Sequence, residues 1–230
     1  MADDATATED APVEDAPATD EAREAVLAEL TEHLGDAVVD SLVKPGLGLW
    51  VRVATDAWSE AADVVRHKAG FRFFDFLSAI DWLPSPYGRY EDATVDIPWP
   101  PPMPERSQAV PGYTGGDTRF QVLASVAKPG TALRILLKAD LPDDDLRIGT
   151  WIRTYAGAAW HEREAHEMFG IAFEGNPDLR HLYLPTEFEG HPLRKEFPLL
   201  ARVVKPWPGI VDVEPMPGED ADDEAEGDEA

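Results

Sequence analysis

Cysteine is absent from this 230-residue chain. That excludes disulfides, thiolate-bound zinc, a cysteine nucleophile and any iron–sulfur cluster held by the chain's own thiolates. It leaves open a position beside a cluster owned by another chain. Long apolar runs are also missing, since none reaches the roughly 18 residues that a membrane span needs. The N-terminus is rich in Asp, Glu and Ala rather than basic and then apolar, so it does not read as a signal peptide. Basic residues are scarce, at 20 against 45 acids, for a formal charge of −25. The imbalance sits at the ends. Residues 1–21 carry eight acids and residues 212–230 carry ten, neither with a base, leaving a net of −7 for 22–211. No basic face is available to release counterions from a phosphate backbone, which disfavours nucleic-acid binding. Residues 1–18 and 212–230 read as disordered, solvating acidic tails.

The sequence between them alternates helical and strand patterns. Thr19 or Asp20 caps an expected helix with Val26, Leu27, Leu30 and Leu34 on its apolar stripe and Gly35 at its end. Val38–Val43 reads as an edge strand. Leu47–Ala54 reads as a second strand with Leu49, Val51 and Val53 on one face. Thr55 or Asp56 is the expected cap of a helix to about Ala69, buried through Trp58, Ala61, Ala62 and Val65. Phe71–Leu83 reads as a long strand. Residues 84–117 hold eight prolines and several glycines, which forbid regular structure and mark a loop or insertion. Phe120–Ala127 and Ala132–Lys138 read as a hairpin about Lys128-Pro129-Gly130. Helices are expected over about 146–157, capped from Asp143–Asp145, and over 159–169.

These elements predict an α+β fold over 19–170, with helices packed on a mainly antiparallel sheet and the loop 84–117 inserted. An extended proline-rich C-terminal arm follows over 171–211. Pro177, Pro185, Pro192, Pro198, Pro206 and Pro208 leave no room there for an ordinary helix, yet Leu, Phe and Trp side chains are scattered along it. Such an arm makes no core of its own. It must lie on a surface, either its own domain's or another chain's, and composition does not choose between them.

Familiar catalytic and metal-binding patterns are missing. Four of the six histidines fall between 161 and 191. His161 and His166 are five residues apart, about 140° around a helix, whereas two ligands sharing one zinc need a spacing of four, about 40° apart. Position 163 is Arg, so the Glu-x-x-His pattern of di-iron helices fails as well. Glu162 and Glu164 share no helix face, and Arg163 and Glu167 are spaced for a surface ion pair. Gly46-Leu47-Gly48 lacks the third glycine of a dinucleotide fingerprint and leads into a strand rather than out of one. No phosphate-binding loop, nucleophile elbow or serine triad signature is present.

One stretch carries a stronger signal. It runs Trp160-His161-Glu162-Arg163-Glu164-Ala165-His166-Glu167-Met168-Phe169-Gly170-Ile171 and continues through Phe173-Glu174-Gly175-Asn176-Pro177-Asp178-Leu179-Arg180. It ends with Glu189-Gly190-His191-Pro192-Leu193-Arg194-Lys195-Glu196-Phe197-Pro198. This resembles the C-subunit family of proton-translocating NADH–quinone oxidoreductase, bacterial respiratory complex I, over about residues 20–210. The loop near 98–111 and both tails stand outside the resemblance. Three positions depart from the family pattern: His is usual at Asn176, Arg at His181, and Asp is common at Glu167.

The resemblance implies a non-catalytic scaffold in the peripheral arm, on the cytoplasmic side of the cell membrane and attached to it only through the complex. It implies no catalytic, cofactor or metal residues on this chain. FMN and iron–sulfur clusters would belong to partner subunits, and the partners would be the cluster-bearing and quinone-site neighbours. On this reading Glu162, Arg163 and Glu164 fix the last helix by charge-assisted contacts, with His166 and Phe169 in the same motif. Gly170 ends that helix in a left-handed conformation and Gly190 permits a tight turn. Pro177, Asp178, Leu179 and Arg180 start the arm. His191, Pro192, Leu193, Arg194 and Lys195 set apolar and cationic groups against a neighbouring subunit. Two other readings stay open: a homologous subunit of a membrane-bound hydrogenase-type complex, and an independent soluble metal-dependent enzyme using the clustered histidines.

Overall fold

Asp20 caps the first helix, as expected. Its carboxylate accepts the Arg23 backbone N–H, pairs with the Arg23 guanidinium and reaches the Gly46 N–H at 3.1 Å, tying the first helix to the first hairpin turn. The computed structural model describes residues 19–86 and 102–198. Among them α1 spans Glu21–Leu34, β1 Val38–Lys44, β2 Gly48–Val53, α2 Trp58–His67 and β3 Phe73–Asp81. Then come β4 Phe120–Ala127, β5 Arg134–Leu141, β6 Arg147–Gly149, α3 Ala158–Phe169 and β7 Ala172–Glu174. Both acidic tails and the segment 87–101 lie outside the described residues.

The main sheet has the order β1-β2-β5-β4-β3, with a parallel pairing only between β2 and β5. The expected α+β architecture with a mainly antiparallel sheet is therefore what the chain adopts. β6 and β7 pair in parallel as a small second sheet. Strand alternation sorts the side chains. Leu49, Val51 and Val53 of β2, Val122, Ala124 and Val126 of β4, and Ile135, Leu137 and Ala139 of β5 enter one core with α1, α2 and α3.

Two local expectations fail for identifiable reasons. Thr55 does not cap α2. Its hydroxyl donates to the Asp140 carbonyl of β5, residues 55–57 form a 3-10 turn, and Ala57 stands at the cap position without a side-chain bond. The expected helix over 146–157 is replaced by β6 and a series of turns. Ile148, Gly149 and Thr150 are weak helix formers, and Ile148 pairs in register with Phe173 of β7. Gly149 packs so closely on α2 that an added Cβ would lie 2.1 Å from the Ser59 hydroxyl.

The turns after β6 bury the largest side chains of the core. Trp151 stacks on Trp58 with ring centroids 4.6 Å apart and on Tyr155 at 5.6 Å. Its indole N–H donates to the Trp58 carbonyl at 3.0 Å, and the Tyr155 hydroxyl donates to the Phe71 carbonyl at 2.6 Å. Burial raises the Tyr155 pKa. Replacing Trp151 by alanine is expected to cost about 3–5 kcal/mol in urea unfolding, as for other buried large-to-small changes. The same change at Trp160, which is 61% exposed, should cost less than about 1 kcal/mol. Equal losses would place Trp151 outside the cooperative core.

Candidate docking site

α3 lies along β3, an edge strand of the main sheet, and the His161 ring contacts the Leu77 carbonyl of that strand at 3.2 Å. The helix buries Ala158, Glu162, Ala165, Glu167 and Phe169. Two carboxylates among these five are not explained by packing, because an ionised buried group needs compensating partners.

Glu162 is fully buried. It accepts the Thr150 hydroxyl at 2.7 Å, the Trp151 N–H at 2.6 Å and the Asn176 amide at 2.9 Å. Burial pushes its pKa up and the three hydrogen bonds counter that in part. One carboxylate thus joins α3 to the end of β6 and to the turn after β7. Asn176 uses both ends of its amide: the nitrogen donates to Glu162 and the oxygen accepts the Asp178 N–H at 2.9 Å. A neutral imidazole offers the same donor and acceptor, so this position needs a bifunctional hydrogen-bonding group rather than a titrating one.

Glu167 and Arg163 do not form the expected surface ion pair. Both turn to the backbone of residues 180–184. The Glu167 carboxylate accepts the N–H groups of Leu182, Tyr183 and Leu184 at 2.5–3.2 Å. The Arg163 guanidinium donates to the carbonyls of Arg180 at 2.9 Å and His181 at 2.8 Å. Anion meets donors and cation meets acceptors along one run of chain. Burial raises the Glu167 pKa, but the three N–H groups outweigh it and the net shift is downward.

The rest of the motif completes the junction. Gly170 has φ +76 and ends α3 in the left-handed region. An added Cβ there would lie 2.5 Å from the Arg194 guanidinium and 2.6 Å from the His191 ring. Arg194 donates through Nε to the Phe169 carbonyl at 2.7 Å, capping the helix C-terminus, and burial lowers its pKa. The Leu193 N–H donates to the Met168 carbonyl at 3.1 Å. Gly190 turns with φ +98, as expected. Asp178 pairs with Arg180 through two contacts of 2.8 Å, which hold its pKa down at about 2. Phe169 is in the core and Leu179 packs on its margin, while Pro177 is exposed. Lys195 contributes its backbone N–H, and Glu164 is half-buried with no side-chain hydrogen bond among the described residues.

The four clustered histidines diverge. His161, His166, His181 and His191 each direct Nδ1 to a backbone carbonyl, those of Leu77, Ile171, Pro185 and Glu167. A carbonyl only accepts, so Nδ1 carries the proton in each. No group of three or more His, Asp or Glu side chains that could hold a metal occurs among the described residues.

Two partners of the arm have no counterpart in the sequence motif. Asp81, with no side-chain exposure at the end of β3, accepts the Lys195 N–H at 2.9 Å and the Arg119 guanidinium at 2.5 and 2.9 Å. Arg119 also pairs with Glu196. An acid closing an apolar strand and an arginine opening its neighbour were the available signals. Through residue 198 the arm therefore lies on its own domain. The 171 boundary falls inside this packing, with β7 in the small sheet; residues beyond 198 are outside the described set. Around the junction Trp160, Tyr183 and Leu193 project, at 61%, 63% and 49% exposure, with the Arg163 guanidinium 5.5 Å from the Trp160 ring.

Glu167→Gln should destabilise the chain by about 1–3 kcal/mol at neutral pH, because an amide supplies one acceptor oxygen where three N–H groups converge. The depressed pKa makes the native contribution fully present above the unfolded-state value and lost as pH falls through the folded one. Urea titrations on the acid limb should accordingly show a shallower pH dependence for the variant than for the native chain. Parallel curves would remove Glu167 as an ionised anchor.

Residues 51–203 match the family described as the 30 kDa subunit of respiratory-chain NADH dehydrogenase. The NADH-quinone oxidoreductase subunit 5 of Thermus thermophilus is 33% identical over 162 residues, covering 67% of this chain and 64% of that protein. The chain thus spans a little under two thirds of that relative's length. The C/D subunit of the Cronobacter sakazakii NADH-quinone oxidoreductase is 47% identical over 73 residues, 32% of this chain and 12% of that one. In fold, a chain of the membrane-bound sulfane sulfur reductase, an archaeal respiratory membrane complex, matches with a TM-score of 0.56 at 19% identity, over 77% of this chain and 86% of that one. No helix among the described residues is long and apolar enough to cross a membrane. The family match covers α2, α3, most of the sheet and the whole junction: the chain belongs to the 30 kDa subunit family of respiratory-chain NADH dehydrogenase.

Proposed function

We propose that the chain is a structural, non-catalytic subunit of the peripheral arm of a proton-translocating NADH–quinone oxidoreductase. In that complex FMN and iron–sulfur clusters of other subunits carry electrons from NADH to quinone. This chain holds cluster-bearing and quinone-site neighbours in place on the cytoplasmic side of the membrane. The reading rests on one observation. Arg163 and Glu167 are committed to fixing the arm's own backbone, Glu162 holds the helix to β6, and the surface so formed presents Trp160, Tyr183 and Leu193 to solvent. Aromatic groups beside an arginine are the side chains that anchor protein interfaces. The combined letters in the name of the Cronobacter relative, C/D, support the D component as one neighbour.

Replacing Trp160 and Tyr183 together by alanine separates docking from folding, since both side chains are mostly exposed. The thermal midpoint of the isolated variant should stay within a few degrees of the native value. Membranes carrying it should lose most assembled complex and most NADH–quinone activity, as expected when interface anchors each contribute about 2 kcal/mol or more. Full complex yield from this variant would overturn the docking role. Recovery of a tagged native chain with hydrogenase-type subunits and no NADH-binding subunit would redirect the assignment to a related complex.

A further inference from the structure

The sheet face turned away from the helices carries a cluster of charged and polar side chains beside Leu42, Leu123 and Leu136, and a segment of the proline-rich insertion crosses it. By register, Asp40 and Lys44 of β1, Trp50 and Arg52 of β2, Lys138 and Asp140 of β5 and Gln121 of β4 share this face. Residues 112–117 lie over them. Tyr113 meets Trp50 edge-on at 4.8 Å, and the Lys44 ammonium stands 3.8 Å from the Tyr113 ring centroid. Gln121 donates to the Gly115 carbonyl at 3.0 Å and to Asp140 at 2.6 Å, and accepts the Trp82 indole N–H at 2.7 Å. Arg52 bridges Asp140 at 2.6 Å and Asp117 at 3.1 Å.

Lys138 lies beneath the segment, 2% exposed. Its ammonium donates to the Tyr113 carbonyl at 2.7 Å and the Gly115 carbonyl at 3.1 Å. Thr114 between them is buried and holds φ +64, a left-handed conformation unusual for threonine. That turn aims both carbonyls at one nitrogen. Lys138 forms no ion pair among the described residues. The charged groups facing it are Asp140 on its own strand, Arg52 on β2, Asp40 and Lys44 on β1 and Asp117 on the crossing segment, with the Tyr113 phenol and the Trp82 ring, 5.4 Å away, completing its surroundings.

We propose that residues 112–117 form a proton-linked strap: lifting them off the sheet exposes the Lys138 nitrogen to water and binds a proton there. A neutral amine keeps hydrogens for both carbonyls, so the closed strap survives loss of the charge. Burial drives the Lys138 pKa down from the ordinary 10.5 to about 8, with Asp140 and Asp40 opposing and Arg52 reinforcing the shift. Between those values the open form holds more protons than the closed one, so closure strengthens as pH rises. Below them both forms are protonated and the dependence vanishes. The inference is independent of the assembly proposed above.

The test is hydrogen exchange of the amides of residues 112–117 in the full chain, with rates corrected for their intrinsic pH dependence. Protection should rise on the order of tenfold between about pH 7.5 and 9.5 in the native chain. It should stay flat in Lys138→Met and keep its rise in Lys44→Met. Protection that is flat in the native chain, or a rise that persists in Lys138→Met or disappears in Lys44→Met, overturns the proposal. Should Lys138→Met fail to fold, nitrogen NMR of lysine in the native chain decides: a Lys138 signal titrating near pH 8 supports the strap, and one titrating like a solvated lysine refutes it.

Discussion

A chain segment rich in proline cannot satisfy all of its backbone groups by itself. It lacks donors at each proline, cannot extend into a helix, and still carries N–H and carbonyl groups that must be satisfied where they leave water. The C-terminal part of this protein meets that constraint with side chains borrowed from α3. Glu167 takes three consecutive N–H groups, Arg163 serves two carbonyls, and Arg194 returns a donor to the helix end. Everything else at the junction follows from this exchange. The helix must carry charges of both signs, its last turn must open at Gly170 to admit His191 and Arg194, and its second buried carboxylate, Glu162, must hold the helix itself to β6.

The sheet separates two chemistries. Its helix side is a continuous apolar core centred on Leu137, Val122 and Trp58. Its other side is a ladder of Arg52, Lys138, Asp140 and Gln121 closed by backbone from the insertion. Polar groups at this density are tolerable only when each finds a partner. Residues 112–117 cover part of this face, and Lys138 and Gln121, which they take out of water, find partners in their carbonyls. An insertion of this kind is part of the fold rather than an ornament on it.

Strand and helix periods are local, and they located α1, α2, α3 and the five main strands with small errors at the ends. The failures arose where a side chain had a better partner far away. Thr55 reads as a helix cap but bonds to β5, and residues 146–157 read as a helix but supply an edge for β7 and a ligand set for Glu162. The i, i+4 spacing of Arg163 and Glu167 suggested a pair. A free ion pair in water is worth little, and the unsatisfied backbone of residues 180–184 offered each group more.

Sequence alone determined the three helices and the five strands of the main sheet, the location of the acidic charge at the two ends, the exclusion of cysteine chemistry and the motif that marks the family. Each of these is set by composition or by spacing within one segment. Tertiary structure decided what the motif's residues do. Whether Glu162 titrates or anchors, whether four histidines share an ion or cap four separate carbonyls, and which apolar groups are left facing solvent depend on groups far away in the chain, such as Asp81 beneath Lys195. Burial and hydrogen-bond geometry arise only when those segments meet, because the free energy of an ionisable group is set by its surroundings in space rather than by its neighbours in the chain.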